Sequence, residues 1–494
     1  MSKGTKNRKA SRTGRIFIGI AWYLINVLSP FEMKAQLRVF DAPAGVDLNN
    51  DFTVQVRLAG QTQWQRVPTY NIKVAKMENG KKTEENASLT YFSTGGKVEV
   101  AVRLNKRALQ TARIRPLSYG IQPMLKGNTL YFTLDKPGNL SVEVNGDIFH
   151  NLHLFANPVY EFADTLAANV IWFRPGLHQL KDGKLRVPSN TTVYVAGGAF
   201  VKGRIVFDSV CNSRLVGYGI VDPSDKGGIG IEKSKNIEVE GVISSQCFTG
   251  GSSDIKVKNV KAISAHRWGD GMNVISSSNV LLDGVFNRNS DDCTTVYGTR
   301  GRYSGGCNNV TMQNATLWAD VAHPILIGTH GSTPNKDTLQ NLNYINIDIL
   351  DHNEAQIDYQ GCMSIDAGDN NLVRNVRFEN IRIEDFRKGQ LFNVRVFFNS
   401  KYCTSPGRGV EDVLFKDIVY NGRHAVTSVL DGYSDDRKVK NIVFENLLLN
   451  GRLYYDGMKE KPGWYKTADL AGIYVGNHTE GIIFKRSVAV TPTE

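Results

Sequence analysis

No CxxC pair occurs among the six cysteines of this 494-residue chain, which removes zinc ribbons and thioredoxin-type redox motifs from consideration. Cys211, Cys247, Cys293, Cys307, Cys362 and Cys403 are widely spaced. Cys293 and Cys307 could pair in an oxidising compartment; the alternative is buried free thiols in a β-rich core. A genuine basic surplus is lacking as well. The formal charge is +11, but residues 1–35 hold seven Lys or Arg and one Glu, which leaves only about +5 for the rest. A nucleic-acid partner is therefore set aside. The lone conspicuous apolar run, Ile16 to Leu28, follows Lys3, Lys6, Arg8, Lys9, Arg12 and Arg15 and is short for a bilayer span. It reads as a signal peptide over 1–35 rather than an uncleaved anchor, and no cysteine follows it to suggest a lipoprotein. The expectation is a secreted or periplasmic protein with no stable membrane insertion after leader cleavage.

With 41% hydrophobic residues, 22% charged residues and 47 glycines, the chain is a folded protein rich in turns. Its length calls for two domains or one elongated repeat. Residues 36–165 carry short alternating stretches such as Phe52-Thr53-Val54-Gln55-Val56-Arg57-Leu58 and Asn139-Leu140-Ser141-Val142-Glu143-Val144, the period of half-buried antiparallel strands. That predicts an N-terminal β-sandwich. It is either a scaffold for the second domain or a carbohydrate-binding module with Trp64, Tyr70 and Tyr91 as stacking residues; the scaffold is preferred.

Over 166–494 a short phrase returns: Asn or Asp, alternating aliphatics, then Asn or Gly. It stands at Asn236, Asp254, Asn279, Asn309, Asn375, Asp412 and Asn441, and more loosely at Asn341 and Gly481. Copies lie roughly 18 to 40 residues apart, as in a solenoid that keeps one strand per coil while its loops vary. Asn at a coil corner tolerates the left-handed conformation and can stack on the next Asn through its amide. Helix-forming segments between the phrases are scarce, which argues against a leucine-rich repeat. The predicted fold class is all-β: a right-handed parallel β-helix preceded by a β-sandwich.

Two phrases interrupt the rhythm, Arg267-Trp268-Gly269-Asp270-Gly271-Met272-Asn273 and Asn289-Ser290-Asp291-Asp292-Cys293. Asp270 precedes the pair by 21 and 22 residues, the length of one coil, and stacked coils lie about 4.8 Å apart. Three carboxylates would then meet on one face. Their mutual repulsion raises at least one pKa towards the range of a general acid, and glycosidic cleavage needs one protonated and one ionised carboxyl. Neighbours in a regular strand face opposite ways, so Asp291 and Asp292 require a bulge or corner at Ser290–Cys293. A Ca²⁺ or Mg²⁺ site, as in a polysaccharide lyase, is the rival for the cluster, and a non-catalytic carbohydrate-binding β-helix is a third reading. Hydrolysis is preferred, with neither metal nor cofactor.

At these residues the chain resembles the β-helical glycoside hydrolases of families 28 and 49, the polygalacturonases and the dextranases with isopullulanase. The resemblance covers Val170 to Gly368 and implies an inverting mechanism, with Asp291 as general acid and Asp270 and Asp292 activating water. Polygalacturonases follow the pair with Gly-His-Gly and then Arg-Ile-Lys; here Ala322-His323-Pro324 replaces the first, and Met363-Ser364-Ile365-Asp366-Ala367-Gly368 stands roughly where the second would fall. That departure, the preceding sandwich and Thr316-Leu317-Trp318 suggest the dextranase-like family and a neutral α-glucan. His323 and His330 are candidates for tuning the acid or binding a sugar hydroxyl. Trp268, Tyr297 and Trp318 are candidates for stacking on sugar rings.

Overall fold

The computed structural model describes residues 36–162 and 164–487; the expected leader lies outside them. From Val170 onward the chain winds into a right-handed parallel β-helix with three columns of strands. The recurrent phrase forms the first column, through Lys235–Glu240, Ser253–Lys258, Ser278–Asp283 and Cys307–Gln313 and on to Thr479–Lys485. A second column includes Lys261–Ile263, Phe286–Asn289 and Thr316–Ala319. A third includes Met272–Ile275, Thr294–Tyr297, Ile325–Gly328 and Met363–Ala367.

The corner asparagines behave as their chemistry requires. Asn236, Asn279, Asn309, Asn341, Asn375 and Asn441 all have φ between 53° and 58°. Asn279 Nδ2 donates to Asp254 Oδ1 at 2.9 Å, and Asn309 Nδ2 to Asn279 Oδ1 at 2.9 Å, so the amides form a ladder along the coil axis. Inward-facing aliphatics fill one core running from Leu180 to Phe484. In the late coils Phe378, Phe415, Phe444 and Phe484 stack face to face, with centroids 4.7–5.0 Å apart. Cys247, Cys293, Cys307 and Cys362 are buried free thiols in this core, so Cys293 and Cys307 do not pair.

Strands between Leu37 and Asn157 build two sheets, one of six strands and one of five. Phe52, Val54 and Val56 of the five-stranded sheet face Leu140, Val142 and Leu152 of the six-stranded one, which makes the predicted sandwich. The other face of the six-stranded sheet, with Tyr70, Ile72, Tyr91 and Phe155, packs on Ile220, Ile263 and Phe286 of the second column and on Tyr218 in the bend before it. Tyr70 and Tyr91 are therefore buried, and Tyr91 Oη accepts a hydrogen bond from Gly198 N; neither is a stacking residue for sugar. Trp64 sits half-buried on the outer sheet beneath the Arg57 guanidinium. Among the described residues no helix is long and apolar enough to cross a membrane.

Candidate active site

The turns that join the second column to the third supply the carboxylates. Phe286–Asn289 ends and Thr294–Tyr297 begins on either side of Ser290–Cys293, which is the corner that the adjacent aspartates demanded. Met272 lies in register with Thr294, so Asp270 stands one coil away from Asp292. Gly271 N donates to Asp292 O at 2.9 Å, and Cys293 N donates to His323 O at 2.8 Å, locking three successive corners together. Gly269 and Gly271 flank Asp270 because nothing larger fits. A Cβ on Gly269 would meet Ser290 Oγ and Ser264 Oγ, and one on Gly271 would meet Asn289 Oδ1 and the Cys293 carbonyl.

Each carboxyl has a different environment. Asp270 accepts a hydrogen bond from Asn273 Nδ2 at 2.6 Å, yet burial, and then the charges of Asp292 and Asp291, hold its pKa well above the ordinary carboxylate range. Burial and the Asp292 charge raise Asp291 to about 7. Asp292 receives three donors: His323 N at 3.1 Å, His323 Nδ1 at 2.7 Å and Tyr297 Oη at 3.2 Å. His323 Nε2 donates to the Tyr359 carbonyl, so a proton on both ring nitrogens makes the ring an imidazolium facing the carboxylate. Burial opposes that charge, but Asp292 prevails and raises His323 to about 9.

The sequence-predicted binding residues divide. Trp268 is 70% exposed at the cleft lip, with the Arg267 guanidinium 4.1 Å from its ring centroid. Its φ of 54° is unusual for a bulky residue, the kind of strain found at functional loops. Tyr297 and His330 line the cleft, meeting edge to face at 4.9 Å, and burial lowers His330 to about 4. His323 is fully buried and touches Asp292 rather than solvent; it positions a carboxylate instead of binding a hydroxyl. Trp318 is also fully buried, between Arg288 at 4.0 Å and Arg115 at 5.0 Å, so it is a packing residue at the sandwich junction and not a sugar platform.

Sequence reasoning missed the cations. The cleft, of about 840 Å³, is lined by Asp270, Asp291 and Asp292 together with Arg267, Arg300 and Lys401. Arg300 leaves a loop fixed by Thr299 N to Asp337 Oδ2 at 2.7 Å and by Tyr303 Oη to Glu232 Oε2 at 2.8 Å. Its guanidinium lies 5.2 Å from the Tyr297 ring centroid, and among the described residues neither Arg267 nor Arg300 forms an ion pair. Gly298-Thr299-Arg300-Gly301 marks a turn in the sequence, but nothing local says that the turn overhangs the aspartates.

A coiled column of parallel strands with a carboxylate cluster at one corner defines a glycosidase-type right-handed β-helix. The family model described as glycosyl hydrolases family 28 matches residues 210–460, half of the sequence, and the chain belongs to that family. It is 26% identical over 223 residues to a probable endo-xylogalacturonan hydrolase A of Neosartorya fischeri, a match over 41% of this chain. The chain thus spans 50% of that curated relative's length. Among solved structures, Dex49A from Penicillium minioluteum superposes with a TM-score of 0.58 at 14% identity, covering 91% of this chain and 96% of the other. A family 28 exopolygalacturonase of Yersinia enterocolitica covers 80% and 97%, with a TM-score of 0.46 at 11% identity. The expected placement nearer the dextranase-like family is not favoured over family 28: the family match is to the latter, and the likeness to Dex49A is one of fold.

Proposed function

We propose that this chain is an inverting hydrolase of a uronate-bearing, pectic-type polysaccharide. The observation that carries the reading is the meeting of three aspartates and two unpaired guanidinium groups in one cleft. Arg300 acts on Asp270 only at a distance and, among the described residues, neither guanidinium is ion-paired, so each is free to give a substrate uronate carboxylate a charge-assisted pair that a neutral glycan cannot use. The named activity of the Neosartorya relative agrees with this. The cations come from different corners than an Arg-x-Lys phrase would supply, so the absence of that phrase does not leave the substrate carboxylate unpaired.

In this reading Asp291, raised to about 7, protonates the leaving oxygen near neutral pH. Asp292, fixed by His323 and Tyr297, takes a proton from the attacking water with Asp270 beside it, and inversion follows because water and leaving group occupy opposite faces of the sugar. Trp268 offers a ring face to a sugar at the cleft lip. A polymer of this kind is met outside the cytoplasm, which suits an exported protein.

The test is reducing-end release from polygalacturonate, xylogalacturonan and dextran, with the anomer of the first product followed by NMR. Release from the acidic polymers with inversion is expected, and Arg300→Gln should raise KM at least tenfold. Cleavage of dextran alone, or a first product that retains the anomeric configuration, would overturn the proposal.

A further inference from the structure

The strands Tyr70–Glu78 and Lys81–Thr94 form a hairpin in which Met77 pairs with Lys82 close to the turn. Tyr70, Ile72, Val74, Leu89 and Tyr91 fasten the rest of that hairpin to the β-helix, which carries its tip to the aspartate corner. Lys82 Nζ donates to the His266 carbonyl at 2.8 Å, and the same oxygen accepts Ser290 Oγ at 2.5 Å. Ser290 immediately precedes Asp291, so one carbonyl ties the sandwich ammonium to the turn that holds this carboxyl.

We propose that Lys82, supplied by the N-terminal sandwich, is a positioning residue for hydrolysis: it keeps a fixed positive charge beside Asp291 and so sets the pH range over which that carboxyl holds its proton. The inference rests on the hydrolase reading and on Asp291 as its acid. Asp291 faces Asp292 and Asp270, which favour its neutral form, and Lys82 and His323, which favour the carboxylate. Lys82 itself faces Asp291, Glu84 and Asp270, with Arg267 as the opposing cation; burial is the largest influence on it and lowers its pKa. Without the ammonium, burial and two neighbouring carboxylates act on Asp291 against only the Asp292 N–H, which donates to Asp291 Oδ1 at 3.2 Å, and His323. An acid whose pKa is too high donates poorly at neutral pH, and Lys82 offsets that tendency. The sandwich thereby becomes part of the catalytic apparatus as well as its support.

The experiment compares the wild type with Lys82→Met and Lys82→Arg in the full chain. Two readouts are used: the pH dependence of kcat on the acidic polymer, and the carboxyl titration of Asp291, followed by ¹³C NMR of aspartate-labelled protein and assigned with Asp291→Asn. Lys82→Met should move the alkaline limb of kcat and the Asp291 titration upward together by about one pH unit, and Lys82→Arg should leave both near the wild-type position. A fall in kcat that is equal at every pH, with the titration unmoved, would mean that Lys82 only pins the loop, and the proposal would fail. If no polymer is cleaved by the wild type, the substrate reading fails instead, while the titration still decides the role of Lys82.

Discussion

Asp292 and His323 illustrate how much of this site depends on single contacts. The ring is buried, charged and hydrogen-bonded on both nitrogens, and its pKa of about 9 lies above the ordinary histidine value. A raised folded-state value means that the ion pair stabilises the protein fully below about pH 6.5 and loses that contribution as pH climbs through 9. Its size is on the order of 3 kcal/mol. Asp291 acts in the same direction: its raised value of about 7 makes deprotonation costly to the fold as pH rises from about 4 through 7. Thermal melts should therefore show stability falling from pH 5 to pH 9. In His323→Gln the fall above pH 7 should flatten, and in Asp291→Asn the protein should melt higher than the wild type at pH 8. Activity separates the roles further. Asp291→Asn should lower kcat on polymer by about 10²–10⁴-fold but lose far less on an aryl glycoside whose leaving group needs no proton. If the variant is equally impaired on both substrates, Asp291 is not the acid, and Asp270, raised by the same causes, becomes the candidate.

Corners, more than strands, are the informative elements of this fold. The strands repeat a simple inward-facing aliphatic pattern, whereas the ladder amides and the aspartate cluster both stand at corners. Asn309 sits in the first column, donating to Asn279 at 2.9 Å with φ of 58°. Asn309→Ala removes a hydrogen bond and forces a side chain with no compensating contact into the left-handed region, a loss of about 1–2 kcal/mol. The denaturation midpoint should fall while kcat stays within twofold, because the aspartate corner lies between the other two columns. Gly271→Ala should do the reverse. Its added methyl meets Asn289 Oδ1 and the Cys293 carbonyl, so it displaces Asp270 against Asp292 and should cost at least a hundredfold in kcat with β-sheet circular dichroism retained.

At the scale of the whole molecule, the β-helix and the sandwich are joined through an apolar cluster and a set of buried charged groups. Arg288 pairs with Asp320 at 2.9 Å and reaches Asn151 of the sandwich at 2.9 Å, and Arg115 of the sandwich pairs with Glu384 of the helix at 2.6 Å. Arg115→Met would leave Glu143 and Glu384 buried without their shared guanidinium, which should cost about 3–5 kcal/mol and lower the melting temperature. A chain beginning at Asp164 should be insoluble or bind hydrophobic dyes, since it would expose the apolar Ile220, Ile243, Ile263 and Phe286. Recovery of a soluble, fully active helix from that truncation would show that the interface is dispensable, and it would also contradict the placing of Lys82 at the site.

The sequence by itself determined the coil. Asn at fixed offsets from alternating aliphatics can satisfy its amide and its left-handed backbone in few ways, so the phrases at Asn279 and Asn309 prescribe both the turn and the stacking. It also determined the aspartate cluster, because a separation of one coil converts directly into proximity. Tertiary structure alone decided the environment of that cluster. Lys82 is separated from Asp291 by most of the two sheets and several coils, and no local pattern marks a lysine in a hairpin as a neighbour of a carboxyl so remote in sequence. Trp318 and His323 look like cleft residues in one dimension because they stand near the motif. Their burial follows from which face of the corner the sandwich and the Tyr359 turn cover, and only the packed chain fixes that.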